Sequence, residues 1–178
     1  VLWSVVEATA LADAEVEYQD HISNQIYVKF QLKNQFRGHD NLNVIIWTTT
    51  PWTIPCNRAL AYNPNLEYGI YENENKDKFI IAKDLFENFV TAIKKKPKLI
   101  ETFNGSELKG FNANHPFHDL GYKFDVPLLE ADFVTIDQGT GIVHVAPSHG
   151  PDDFALGLKN GIKAENTIDD NGHYTKII

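Results

Sequence analysis

Val44-Ile45-Ile46-Trp47-Thr48-Thr49-Thr50-Pro51-Trp52-Thr53-Ile54-Pro55-Cys56-Asn57 is an apolar run that gives way abruptly to four threonines, two prolines and a second tryptophan. Its first half has the length and β-branched content of a buried strand. Its second half would pack poorly as core, because each threonine hydroxyl needs a hydrogen-bond partner once buried. Hydroxyls set between indoles line a pocket well, since pockets combine apolar walls with a few placed polar groups. The stretch therefore predicts a central strand, over 42–48, that delivers the wall of a site.

Outward from it, 26–32 alternates apolar and polar residues as a half-buried strand does, and the loop 38–41 separates the two. Further strands are expected at 58–62, 67–72, 78–82, 99–103, 124–130 and 132–136, with Asn63-Pro64-Asn65 and the polar residues 73–77 as turns. Leu85, Phe86, Phe89, Val90 and Ile93 recur at helical spacing behind Asp84, which predicts an amphipathic helix over 84–95 whose stripe is core. Residues 7–17 are strong helix formers of weak amphipathicity, an entry segment ordered only against a neighbour. Residues 104–123 form a Gly/Asn/Pro-rich excursion. Near the C-terminus the order is a glycine turn at 139–141, a strand, a proline loop, and a helix starting at Pro151 with Asp152 and Asp153 at its positive end and Gly161 closing it. Beyond 162 come a short strand and a turn at 169–172. About eight strands and two or three helices point to one domain over 1–178, β-barrel-like or mixed α+β.

A chain of 178 residues with 43% apolar and 22% charged residues can bury a sizeable core. It has no apolar run of membrane-spanning length and no signal pattern, so a cytoplasmic location is expected. A lone cysteine, Cys56, makes no internal disulfide. The absence of methionine and a start at Val1 suggest a piece of a longer polypeptide. A formal charge of −8 excludes a domain that wraps a polynucleotide alone, because phosphate binding needs a basic face. The cluster Lys94-Lys95-Lys96-Pro97-Lys98 is read as a solvated helix end.

Three chemistries compete for the polar residues. A metal site could draw on His144, His149 and Asp152, or on His115 and His118, but neither set has a zinc spacing, and the second pair is read as two solvated histidines. Cys56 could be a nucleophile beside a histidine, although its place after Pro55 suits a small buried side chain. Gly139-Thr140-Gly141 precedes a strand, where phosphate loops require a helix. The third arrangement fits better: threonine hydroxyls holding ester oxygens and water, Asp153 holding an ammonium, and Trp47 and Trp52 walling an apolar group. Against it stands the plain alternative of strand-edge threonines, a helix-capping Asp153 and two core tryptophans.

The run Trp47–Asn57 resembles a signature of the editing domain inserted in isoleucyl-tRNA synthetase, a class I aminoacyl-tRNA synthetase. Gly139-Thr140-Gly141-Ile142-Val143-His144-Val145-Ala146-Pro147-Ser148-His149-Gly150-Pro151-Asp152-Asp153 resembles that domain's other signature, and Ala10–Tyr18 the segment leading into it. Leucyl and valyl relatives typically continue with arginine and proline after the threonines; Pro51-Trp52 favours the isoleucyl branch. Cys56 stands where the family usually has a small residue such as alanine or glycine. The resemblance implies an α+β, β-rich, β-barrel-like editing domain with a few peripheral helices, which hydrolyses Val-tRNA(Ile) and valyl-adenylate. Valyl or leucyl editing and a non-catalytic docking module are the alternatives. By the match of motifs, Thr48, Thr49 and Thr50 contact the substrate and position water, Asp153 binds the α-ammonium, and Trp52 is a side-chain wall. His144 excludes isoleucine, Asn57 is associated with editing, and His149 and Asp152 are framework. Both synthetic signatures of the class are missing, so no ATP, Mg or metal is expected in this domain, although the full synthetase would use ATP and Mg. The expected partner is the 3′ end of charged tRNA(Ile), held mainly by the rest of a monomeric synthetase, with the valyl moiety in the pocket.

Overall fold

Strands form where β-branched and aromatic residues alternate or run together, and the computed structural model, which describes residues 2–178, contains eleven of them with two α-helices. In chain order they are β1 (Leu2–Ser4), β2 (Thr9–Leu11), β3 (Ile26–Gln31), β4 (Asn43–Thr48), β5 (Ala59–Tyr62), β6 (Glu67–Glu72) and β7 (Lys78–Ala82). Then follow α1 (Phe86–Ile93), β8 (Lys98–Asn104), β9 (Asn112–Asn114), β10 (Asp125–Glu130), β11 (Ile142–Val145) and α2 (Pro151–Lys159). The larger sheet has the order β3-β4-β7-β6-β8, the smaller β11-β5-β10-β9, and β1 and β2 form a separate hairpin. Only β4–β7 and β5–β10 run parallel among these described pairs.

The threonine-bearing strand β4 is internal to its sheet, hydrogen-bonded to β3 and β7. Successive strand residues face opposite ways, so Val44, Ile46 and Thr48 share one face and Ile45 and Trp47 the other. Val44 and Ile46 are fully buried in the core between the sheets, with Leu60 and Tyr62 from β5 and Leu128 from β10. On the opposite face Tyr27, the cross-strand partner of Trp47, meets Phe89 of α1 edge-on at 5.0 Å. Phe86 of α1 stacks on Tyr71 at 3.9 Å. Thr48 thus points away from α1, toward the smaller sheet. The sheets meet at Leu32, which bridges Ala113, and at the Ala82 N–H, which donates to the Thr140 carbonyl. Among the described residues neither sheet closes, so the β-rich α+β class holds and the barrel likeness goes no further than two joined open sheets.

Several expectations need correction. Residues 7–17, although rich in helix formers, hold β2 and a 3₁₀ turn at Asp13–Glu15. With no apolar stripe to dock, so short a helix gains too little from propensity, whereas Thr9–Leu11 can pair with Leu2–Ser4. Residues 132–136 form no strand: the Val134 N–H turns back to the Ala131 carbonyl, and Asn63 donates to the Val134 carbonyl. The predicted helix 84–95 splits into a 3₁₀ turn and α1, ending at Lys94 with φ 54°. The excursion 104–123 carries β9 and two 3₁₀ turns, and past residue 162 there is only the bridge Ile168–Tyr174.

Candidate active site

The chain leaves β4 at Thr48 and enters a 3₁₀ helix, Pro51–Cys56, with Pro51 at its start and Pro55 within it. Proline suits the first turn, where its missing N–H has no partner to lose. The Thr53 backbone N–H and hydroxyl both donate to the Thr50 carbonyl, at 3.0 and 2.9 Å. Thr48 Oγ1 accepts from the Thr50 N–H at 3.0 Å and lies 3.2 Å from Thr50 Oγ1. The local sequence therefore folds the threonines onto one another, with Thr48 and Thr53 buried and Thr49 and Thr50 exposed.

The second motif arrives on β11, which pairs with β5 so that His144 lies opposite Leu60. Its entry depends on Gly141 at φ +75°, where a Cβ would lie 2.3 Å from that of Ala82. His144 is 8% exposed, and its Nε2 lies 3.0 Å from Thr53 Oγ1. Burial pushes its imidazole down to about 4, with His149 and His115 adding a smaller push the same way, so it is neutral near pH 7. Two residues on, the Ala146 N–H donates to Asp153 Oδ2 at 2.9 Å. Gly150 precedes α2, and an added Cβ there would press on the Asp153 carboxylate at 3.3 Å. Asp153 sits in the first turn of α2, and burial raises its carboxyl above the usual carboxylate range, against the lowering effect of the Ala146 bond. It has no cationic partner among the described residues. A carboxylate so placed can accept a charge-assisted hydrogen bond from a cation.

Polar contacts run from Thr48 to Thr50, from Thr50 to Thr53 and from Thr53 to His144, which joins the two motifs there; a separate bond within the second motif ties Ala146 to Asp153. Trp52 stands beside them, half exposed, its carbonyl accepting from Tyr174 and its ring edge-on to His149 at 5.0 Å. His149 Nε2 lies 2.7 Å from Thr167 Oγ1. An open cleft runs past Trp52, His149, Pro151 and Phe154.

Other residues fall elsewhere. Trp47 is not a wall of this pocket: it lies on the α1 side of β4 and donates to Gln25 at 3.1 Å. Asn57 is fully buried, out of reach of a ligand, and its Nδ2 donates to the Ala59 carbonyl at 2.7 Å. His115 is not solvated but 1% exposed; its Nε2 lies 3.0 Å from the Ile54 carbonyl, and Tyr122 stacks on it at 4.6 Å. The aromatic side chains of the excursion enclose it, which a polar-looking loop sequence concealed. His118 remains exposed. Among the described residues no three His, Cys, Asp or Glu side chains gather as a metal-ligand set. The sequence reading assigned no role to Thr53, although it lies inside the quoted run; its spacing of three from Thr50 was the available signal.

A family model described as "Leucyl-tRNA synthetase, editing domain" matches residues 23–177. The isoleucine–tRNA ligase of Pelagibacter ubique is 55% identical over 183 residues, covering 99% of this chain and 20% of that protein. That of Gluconobacter oxydans is 44% identical over 98% of this chain, again 20% of its own length. The chain spans about a fifth of the length of the curated relatives it matches. Among solved structures, GlLeuRS-CP1 superposes with a TM-score of 0.62 at 22% identity, over 79% of this chain and 66% of that one. The P. knowlesi cytosolic leucyl-tRNA synthetase editing domain does so with 0.60 at 15% identity, over 84% of this chain and 68% of that one. At those identities the structures speak for the fold alone.

Proposed function

The chain belongs to the family of aminoacyl-tRNA synthetase editing domains, and we propose that it is the proofreading hydrolase of an isoleucyl-tRNA synthetase, removing valine from Val-tRNA(Ile). The observation that carries this is the Thr53–His144 contact at 3.0 Å, which links the turn after the threonines to the strand that leads toward Asp153.

The chemistry asked of the site is modest. An aminoacyl ester is already activated, so an ordered water near its carbonyl and oriented donors for its oxygens suffice, with no covalent intermediate. Asp153 would hold the α-ammonium by a charge-assisted hydrogen bond, fixing where the ester lies. Exposed Thr49 and Thr50 offer hydroxyls to the water and ester oxygens. Neutral His144 adds no positive charge to repel the ammonium, and its bulk bounds the side-chain space. One methylene separates isoleucine from valine by only ~1–3 kcal/mol in an apolar pocket, so rejecting the larger side chain here complements the synthetic site. Isoleucyl specificity is supported by the isoleucine–tRNA ligases among the relatives. The charge of −8 leaves the hold on the tRNA body to the rest of a monomeric, cytoplasmic synthetase.

The test is single-turnover deacylation by the full-length synthetase. Hydrolysis of Val-tRNA(Ile) with sparing of Ile-tRNA(Ile) is the expected result. Equal cleavage of both, or cleavage of threonyl esters only, would overturn the assignment.

A further inference from the structure

The lysine run at 94–98 meets the outer face of the larger sheet at a cavity that the editing function leaves unused. Helix α1 has only eight residues and covers part of that face. At Lys94 the backbone takes φ 54°, which ends the helix, and Lys95, Lys96 and the buried Pro97 then line the space that α1 leaves open. Glu72 at the end of β6 pairs with Lys98 at the start of β8, so the turn 73–77 and residues 95–97 leave the same end of the sheet side by side. Together with the sheet they bound a cavity of about 190 Å³. Ile45 reaches it from the face of β4 opposite Thr48, which puts the cavity across the sheet from the candidate active site.

Its floor is apolar and largely aromatic: buried Ile45, Phe79 and Phe89 with half-buried Tyr27 and Ile93. Phe89 stands edge-on to Tyr27 at 5.0 Å and tilted against Phe79 at 5.7 Å. The volume is below the ~300–1,000 Å³ of sites for larger ligands, so the floor takes a single ring or a branched alkyl group. Two charged side chains of the lining are already engaged, Lys29 with Asp77 at 3.1 Å and Lys96 at 4.0 Å from Glu87. Glu74 and Lys95 also line the cavity and form no ion pair among the described residues, either with each other or with a third group. Uncommitted charges of opposite sign on adjoining walls, above an apolar floor, suit a ligand that carries an ammonium and a carboxylate on one carbon beside an apolar group.

We propose that this cavity binds a free apolar α-amino acid, with its side chain on the aromatic floor, its carboxylate at Lys95 and its ammonium at Glu74. An apolar acid would leave Glu74 without a partner, and an apolar amine would leave Lys95 without one. The inference does not rest on the editing function, because none of these residues belongs to the candidate active site.

The test titrates full-length synthetase with three probes, read by saturation-transfer NMR: L-phenylalanine, 3-phenylpropionate, which lacks the ammonium, and phenethylamine, which lacks the carboxylate. L-Phenylalanine should bind with a Kd on the order of 1 mM, an ordinary strength for so few atoms. Each of the other two should bind about fivefold more weakly, the upper end of what one exposed ion pair contributes. Glu74→Gln should abolish the advantage of L-phenylalanine over 3-phenylpropionate and keep its advantage over phenethylamine. Lys95→Gln should do the reverse. Both side chains are exposed, so neither change threatens the fold. No saturable binding of L-phenylalanine, equal binding of the three probes, or affinity ratios that either variant leaves at their wild-type values would each overturn the proposal. The last result would place any binding elsewhere on the synthetase. Loss of Val-tRNA(Ile) hydrolysis in the wild-type enzyme would defeat the editing function and leave this result standing.

Discussion

Asp153→Asn separates charge from structure more cleanly than removal of the side chain. Asparagine Oδ1 can still accept from the Ala146 N–H, the 2.9 Å bond that seats the carboxylate, so the link between β11 and α2 survives. What is lost is the negative charge opposite the substrate ammonium. Unit charges about 4 Å apart at an effective dielectric constant near 20 attract by ~4 kcal/mol. Asp153 is half-buried and first gives up its own hydration, so ~2–4 kcal/mol of transition-state binding is the expected loss. At 1.36 kcal/mol per decade, that is a fall of about 30- to 1000-fold in kcat/KM for Val-tRNA(Ile). The assay is single-turnover deacylation by full-length synthetase, with circular dichroism of the variant as a control. A second substrate sharpens it: tRNA(Ile) carrying the α-hydroxy analogue of valine has no ammonium, and D153N should change its hydrolysis by less than threefold. If D153N hydrolysed Val-tRNA(Ile) within threefold of wild type, or slowed both esters equally, Asp153 would be a helix-terminal residue and the ammonium argument would be wrong.

His144→Ala should enlarge the pocket enough that Ile-tRNA(Ile) begins to be hydrolysed, measured in the same assay; continued strict sparing would remove its gating role. Gly141→Ala should cost ~2–4 kcal/mol in urea unfolding, because alanine is strained at φ +75° and its Cβ would overlap that of Ala82; a loss below 1 kcal/mol would refute the close approach. Stability should also fall as the pH drops from 6.5 toward 4. His115 and His144 are held near 4 in the folded chain, so over that window the unfolded chain binds protons that the native state refuses. Each histidine contributes a slope of up to ~1.4 kcal/mol per pH unit within it, and none above 6.5. Urea midpoints across this range in wild type and His115→Gln give the check: the variant's dependence should be shallower, and an equal slope would show that His115 does not contribute. Trp47→Phe should leave the Val/Ile ratio unchanged while Trp52→Ala disturbs it, since of these two Trp52 alone borders the cleft.

The sequence by itself determined the β-rich class, the central place of β4 and the importance of two motifs about ninety residues apart. Those features are local or compositional: β-branched runs make strands, Pro51 starts a turn, and Gly139 and Gly141 bring the chain into β11. The helix formers of 7–17 make no helix because propensity without a docking face does not hold a short segment, and His115 was misplaced because burial depends on aromatic residues folding back around it. Only the tertiary structure decided which residues of the motifs face one another. Alternation along β4 puts Trp47 on the face opposite Thr48, and Asn57 proves to be fully buried. Thr53 meets a partner only when β11 brings His144 to 3.0 Å, and sequence spacing carries no record of that contact.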